Sequence, residues 1–131
     1  SELTWTLGAN AYDATSSTPQ KAIVNGESVE NVLKLGKSSA GGSATVAIPS
    51  GTTKIGFYAI GWNKSSGTVL SCKAGSVTET FDLTANTGAA GNRDSDYFTM
   101  SIPAGVTEVV FETTGTSNCR AIVIGLKAIT E

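Results

Sequence analysis

Histidine is absent from this chain. Its absence removes the commonest general base, the Ser–His and Cys–His nucleophile pairs, and most zinc sites. Charge is also scarce: Asp, Glu, Lys and Arg make up 15% of residues and leave a net charge of −2. No basic cluster stands out, so no nucleic acid partner is expected. No apolar run approaches the length of a spanning helix, so no membrane insertion is expected either. The chain opens at Ser1 without the charged and apolar regions of a signal peptide. Asp13, Asp82, Asp94, Asp96, seven glutamates and two cysteines are the remaining candidates for catalysis or metal ligation. An enzyme working through paired carboxylates is the least favoured reading.

What the chain does have is a core and a β-rich composition. At 131 residues it has the length of one domain, so residues 1–131 are read as a single unit. The 40% apolar content suffices for a core without a metal or a dense disulfide frame. The 18 threonines, 15 serines and 15 glycines favour pleated surfaces and turns over helices.

Short alternating runs recur about every ten residues. They cover residues 3–7, 32–35, 43–48, 54–62, 68–74, 77–84, 97–102, 107–114 and 120–129. Residues 22–24 add a possible edge strand before the Asn25-Gly26 turn. The pattern predicts an all-β antiparallel sandwich, jelly-roll-like, with eight to nine strands. Its core is expected to hold Val46, Ile48, Ile55, Phe57, Phe81, Leu83, Phe98, Met100, Ile102, Val109, Phe111, Ile122 and Ile124. Trp5 alternates in phase with Leu3 and Leu7 and is assigned to the same core.

An internal repeat sharpens the reading. Ile48-Pro49-Ser50-Gly51-Thr52-Thr53-Lys54-Ile55 matches Ile102-Pro103-Ala104-Gly105-Val106-Thr107-Glu108-Val109, and Phe57 then aligns with Phe111. Each copy is a strand, a Pro-x-Gly turn and a second strand. Two equivalent β-units facing each other across the core are expected.

Alternating strand direction sends the connections to two edges. One edge receives tight, nearly uncharged turns at 49–53, 75–76 and 103–106. The other receives long polar connections at 37–42, 63–67, 85–96 and 115–118. That upper edge carries Lys37, Asn63, Lys64, Asn86, Asn92, Arg93, Asp94, Asp96 and Asn118, with Arg120 just behind. Binding loops on a rigid scaffold cluster in this way, although solvated loops also collect polar residues.

Residues 54–62 are apolar on both faces, with Tyr58, Ile60 and Trp62 on the second one. Such a strand is either covered twice or displays one face to a ligand. Trp62 ends at the upper edge beside Asn63 and Lys64, and an indole there suits the apolar face of a sugar ring. The alternative is a Trp62 buried beneath a loop. Tyr97 begins a strand at the same edge and is a second candidate, with Tyr58 third.

Asp94 and Asp96 have three readings. A polar turn closed by its own side chains ranks first. Hydrogen bonding of sugar hydroxyls, together with Arg93, ranks second. Calcium binding with Asn86 and Asn92 ranks third.

Cys72 and Cys119 could form a bridge closing a loop of about 48 residues, worth about 3–4 kcal/mol. Cys72 falls mid-strand near the lower edge, whereas Cys119 begins at the upper one. Two free, buried thiols are therefore favoured.

The segments Val32-Leu33-Lys34-Leu35-Gly36, Ile48-Pro49-Ser50-Gly51-Thr52-Thr53, Gly56-Phe57-Tyr58-Ala59-Ile60-Gly61-Trp62-Asn63 and Arg120-Ala121-Ile122-Val123-Ile124-Gly125 carry a resemblance. The chain resembles the jelly-roll carbohydrate-binding modules attached to secreted polysaccharide-degrading proteins of gut and rumen bacteria. The resemblance implies a fold and a ligand class, not a set of site residues. It implies a non-catalytic module that binds a polysaccharide or oligosaccharide, such as that of a plant cell wall. Its partner would be a catalytic module in the same parent chain, located outside the cell or on the bacterial surface. From the edge argument, the ligand-binding residues are expected to be Trp62, Asn63, Lys37, Arg93, Asp94, Tyr97, Asn118, Arg120 and Tyr58. The alternative is a structural spacer or adhesion domain with no small ligand.

Overall fold

The computed structural model describes residues 3–16, 21–30, 32–62, 67–85 and 94–130. These residues form twelve strands and no helix. In chain order the strands are β1 (Trp5–Leu7), β2 (Ala11–Tyr12), β3 (Ala22–Val24), β4 (Glu27–Val29), β5 (Leu33–Leu35) and β6 (Ser43–Ala47). There follow β7 (Lys54–Gly61), β8 (Thr68–Ala74), β9 (Val77–Leu83), β10 (Asp96–Ser101), β11 (Glu108–Glu112) and β12 (Ala121–Ile129). The count exceeds the expected eight or nine because residues 22–24, read as an added edge strand, form β3, and because β2 and β4, of two and three residues, show no alternation in the sequence.

Two five-stranded antiparallel sheets make the sandwich. The front sheet runs β10-β7-β12-β5-β2 and the back sheet β1-β6-β11-β8-β9. β3 and β4 form a separate hairpin, turned by Asn25 and Gly26, both at positive φ. Between the sheets lies the main core, which contains Val46, Ile48, Ile55, Phe57, Leu83, Met100, Ile102, Val109 and Phe111 as expected. Phe81, Phe98 and Trp5 are only partly buried against it. Leu7, expected to share their face, is 36% exposed, because β1 is an edge strand and Leu7 is its last residue.

Ile122 and Ile124 correct the expected core. They belong to a second cluster on the outer face of the front sheet, with Ala22, Val32 and Ile60. β12 is buried at four consecutive positions, Ala121–Ile124, so alternation there carries no phase. Ala121 and Val123 take the inward positions instead. Gly125, at φ 65°, then inserts one extra residue between the pairs Ile124↔Tyr58 and Lys127↔Gly56. This bulge returns Leu126 to the main core, where it is 1% exposed.

The repeat is real in three dimensions. The unit β6–turn–β7 crosses from back sheet to front, and β10–turn–β11 crosses from front to back. Ile48 N donates to Thr107 O at 2.9 Å, and Ile102 N donates to Thr53 O at 2.8 Å, the same bond seen from each copy. The equivalent rings of Phe57 and Phe111 meet edge to face, 5.3 Å between centroids. Gly51 and Gly105 share φ 86°, and a Cβ on either would meet nothing within 4 Å. Gly51→Ala and Gly105→Ala should therefore each cost only the left-handed strain, about 1–2 kcal/mol, and by nearly equal amounts in urea unfolding.

Both cysteines are free and buried. Cys72 lies in the main core, where burial, with the charge of Glu79 adding, pushes its thiol well above the usual range. The Cys119 thiol is directed at Lys37 O, 3.2 Å away. Alkylation without reductant should label neither thiol in the folded protein and both in denaturant, read by intact mass. A denatured protein that takes no label would contain a disulfide.

Candidate functional site

The second face of β7 points away from the core. Ile60 at its middle is fully buried with Ala22, Val32, Ile122 and Ile124, while Tyr58 and Trp62 on either side stay half-buried. Both possibilities for a doubly apolar strand are thus realised: the centre is covered and the two ends remain partly open. The β3–β4 hairpin is tied down beside the start of β10. Ser95 N donates to Ile23 O at 2.8 Å, and Gly26 N donates to Asp94 Oδ1 at 2.9 Å.

At the upper end of this face, four side chains from four strands or strand ends converge. Trp62 N donates to Arg120 O at 3.0 Å, which sets Trp62 beside the start of β12. Lys34 stands outward between core residues Leu33 and Leu35 and pairs with Tyr12 of β2. Its ammonium lies 4.3 Å from the Trp62 ring centroid and 5.3 Å from that of Tyr12. The Arg120 guanidinium carbon lies 5.4 Å from the Trp62 centroid. Both distances to the indole fall within cation–π range. Burial, followed by repulsion from Arg120, lowers the Lys34 pKa below its ordinary value. Among the described residues no carboxylate forms an ion pair with Lys34. This cluster therefore joins two aromatic rings to two positive charges.

The backbone beneath Arg120 is held firmly. Thr68 Oγ1 donates to Arg120 O at 2.8 Å. The buried Thr113 hydroxyl donates to Cys119 O at 2.7 Å and accepts from Gly42 N at 3.0 Å. Thr113→Val would leave both groups unpaired and should cost about 1–3 kcal/mol, measured by chemical denaturation.

The expected site residues divide into groups. Trp62 and Arg120 come together, joined by Lys34 and Tyr12, which sequence reasoning did not include. The alternation Leu33-Lys34-Leu35 signalled an outward lysine, but only strand order shows that β5 adjoins β12 and carries Lys34 toward Trp62. Lys37 and Asn118 are exposed residues of the upper connections, linked through Cys119. Contrary to the first-ranked reading, the Asp94 and Asp96 carboxylates do not close their own turn among the described residues: Asp94 latches the distant β3–β4 hairpin, and Asp96 accepts from Thr84 Oγ1 at 2.8 Å. The two carboxylates thus serve different partners. Among the described residues no three Cys, Asp or Glu side chains form a group able to hold a metal. Asn63, Arg93, Asn86 and Asn92 lie outside the described residues. Tyr58 and Tyr97 line a well at the other end of the face, with ring centroids 4.9 Å apart.

Trp5 faces a different environment. Its indole N–H donates to Asp13 Oδ2 at 2.9 Å. The Asp13 carboxyl is held below its usual pKa, chiefly by the hydroxyl of Thr15.

No protein-family model and no curated protein matches the chain. Solved structures do match it. Tandem CBM51 modules of a family 98 glycoside hydrolase from Streptococcus pneumoniae superpose with a TM-score of 0.62 at 11% identity. That match covers 98% of this chain and 45% of the other, so this chain spans less than half of the tandem protein. A CBM35 from Paenibacillus barcinonensis gives 0.55 at 16% identity, over 95% of this chain and 93% of that one. The K2 cleaved adhesin domain of Lys-gingipain gives 0.55 at 15% identity, over 95% and 87%. At these identities the likeness is one of fold alone, a jelly-roll β-sandwich that carbohydrate-binding modules and an adhesin domain share.

Proposed function

We propose that this is a non-catalytic module that binds an acidic polysaccharide through the cluster formed by Trp62, Tyr12, Lys34 and Arg120. The observation that carries the reading is two aromatic rings and two cations gathered on one half-open face of a carbohydrate-binding-module fold. Sugar rings present apolar faces to aromatic surfaces, and a uronate carboxylate would offset the mutual repulsion of Lys34 and Arg120. Lys37 and Asn118, exposed in the upper connections, would supply a polar rim. Rings and cations bind charge and ring faces, but they offer no carboxylate pair to cleave a glycosidic bond. The module would hold an attached catalytic domain near plant cell-wall polysaccharide, outside the cell or on a bacterial surface, and so raise its effective concentration.

Affinity gels test the reading. Migration should be retarded in polygalacturonate, less so as salt rises, and little in neutral xylan or glucan. No reducing ends should be released. Equal, salt-independent retardation in neutral and acidic gels would remove the role given to the cations.

The lowered Lys34 pKa adds a pH signature. A protonated Lys34 is the binding form, so its contribution is lost as pH rises through the folded-state pKa. Binding should therefore weaken at a pH below the ordinary lysine value of 10.5. Lys34→Arg should remove that early loss.

The likeness to an adhesin domain favours a second reading, an adhesion or spacer domain. It would be preferred if no polysaccharide retards the protein.

A further inference from the structure

The well at the opposite end of the same face is built differently. It is a cavity of about 320 Å³ between the β3–β4 hairpin and the front sheet. Val24 and Val29 of the hairpin form one wall and Ile124 another, with Tyr58 and Tyr97 as aromatic surfaces and Lys127 as the one charged group among the described residues. Tyr97 is 54% exposed. Its ring lies across Gly56, where an added Cβ would come within 3.0 Å of its Cζ. The absence of a side chain at Gly56 thus lets the ring lie close against the sheet. At the bulge, Gly125 likewise leaves room for the Tyr58 ring, 3.4 Å from where a Cβ would stand.

Among the described residues the lining contains no Asn, Asp, Gln, Arg, Ser or Thr side chain. An unsubstituted sugar ring would find few side-chain partners for its hydroxyls there, and unpaired polar groups carry a desolvation cost. Aliphatic walls, two aromatic rings and one cation fit a flat apolar ligand with one anionic end. Among the described residues no carboxylate pairs with Lys127, so its charge is open to such a ligand.

We propose that this well is a second binding site, specific for a small aryl carboxylate. The ring packs against Tyr97 and Tyr58, and the carboxylate meets the Lys127 ammonium. The site does not rest on the glycan reading, because the buried cluster of Ala22, Val32, Ile60 and Ile122 lies between it and Trp62.

The test is an NMR titration of the 131-residue protein with 4-hydroxycinnamate. Saturable shifts should appear at the amides of Gly56, Tyr97 and Gly125, with a Kd of about a millimolar or below. Tyr97→Ala, at an exposed edge position, should weaken binding by about tenfold or more while circular dichroism shows an unchanged fold. Lys127→Gln should weaken it by about threefold to tenfold and remove its salt dependence. The methyl ester should bind the wild type as weakly as the acid binds Lys127→Gln. Trp62→Ala should leave the titration unchanged. Shifts that fail to saturate, or that centre on Trp62, would overturn the proposal. So would galacturonate shifting the same three amides as strongly as the aryl acid, which would make the well a sugar subsite.

Discussion

Phe57→Ala is expected to destabilise the protein by about 3–5 kcal/mol. Phe57 is fully buried and touches three other phenyl rings: Phe81 at 5.5 Å, Phe98 at 5.8 Å and Phe111 at 5.3 Å between centroids. Truncation removes its transfer energy, opens a cavity, and deletes edge-to-face contacts worth about 0.5–1.5 kcal/mol each. Against a total stability of about 5–15 kcal/mol, the loss should be visible as a melting point lower by about 10 °C or more. Phe111→Ala should cost a similar amount, since it holds the same place in the second repeat. The double variant should cost less than the sum, because each single change already deletes the shared contact. Full additivity within about 0.5 kcal/mol would mean that the two rings do not meet.

Trp62→Ala is expected to weaken binding of acidic polysaccharide by about a hundredfold, as truncation of an aromatic anchor does at other interfaces. Folding should survive. Trp62 is only partly buried against the outer cluster, and the main core does not depend on it. Lys34→Gln and Arg120→Gln should each weaken binding by about fivefold to tenfold and flatten its salt dependence. Tyr12→Ala should have a smaller effect, since the Lys34 ammonium lies farther from Tyr12 than from Trp62. Loss of the fold in Trp62→Ala would make Trp62 a structural residue. Unchanged binding would move the ligand elsewhere.

The sandwich was legible because its long strands alternate and its two Pro-x-Gly units repeat. Val46, Phe57, Met100 and Phe111 show their facing directly in period two. The reading failed where burial on both faces erased that period. Ile122 and Ile124 look no different from Val123, and only the bulge at Gly125 and the hairpin over Ile60 decide which way each one points. Half of the candidate cluster was legible. Trp62 and Arg120 stand out because they flank the apolar strands β7 and β12, one just after and one just before. Lys34 and Tyr12 join them through strand order, a long-range property that local patterning does not carry. Asp94 was a candidate for sugar contact because it is polar and in a loop, yet its carboxylate is engaged by the Gly26 amide 68 positions earlier.

The most direct test of the central claim uses the fluorescence of Trp62 alone, in a Trp5→Phe background. Titration with oligogalacturonide should change its intensity saturably, with a midpoint matching the affinity measured in gels. The change should shrink at high salt and in Lys34→Gln. Retardation in polygalacturonate with no change in Trp62 emission would contradict the account, because the ligand would then bind without touching the indole.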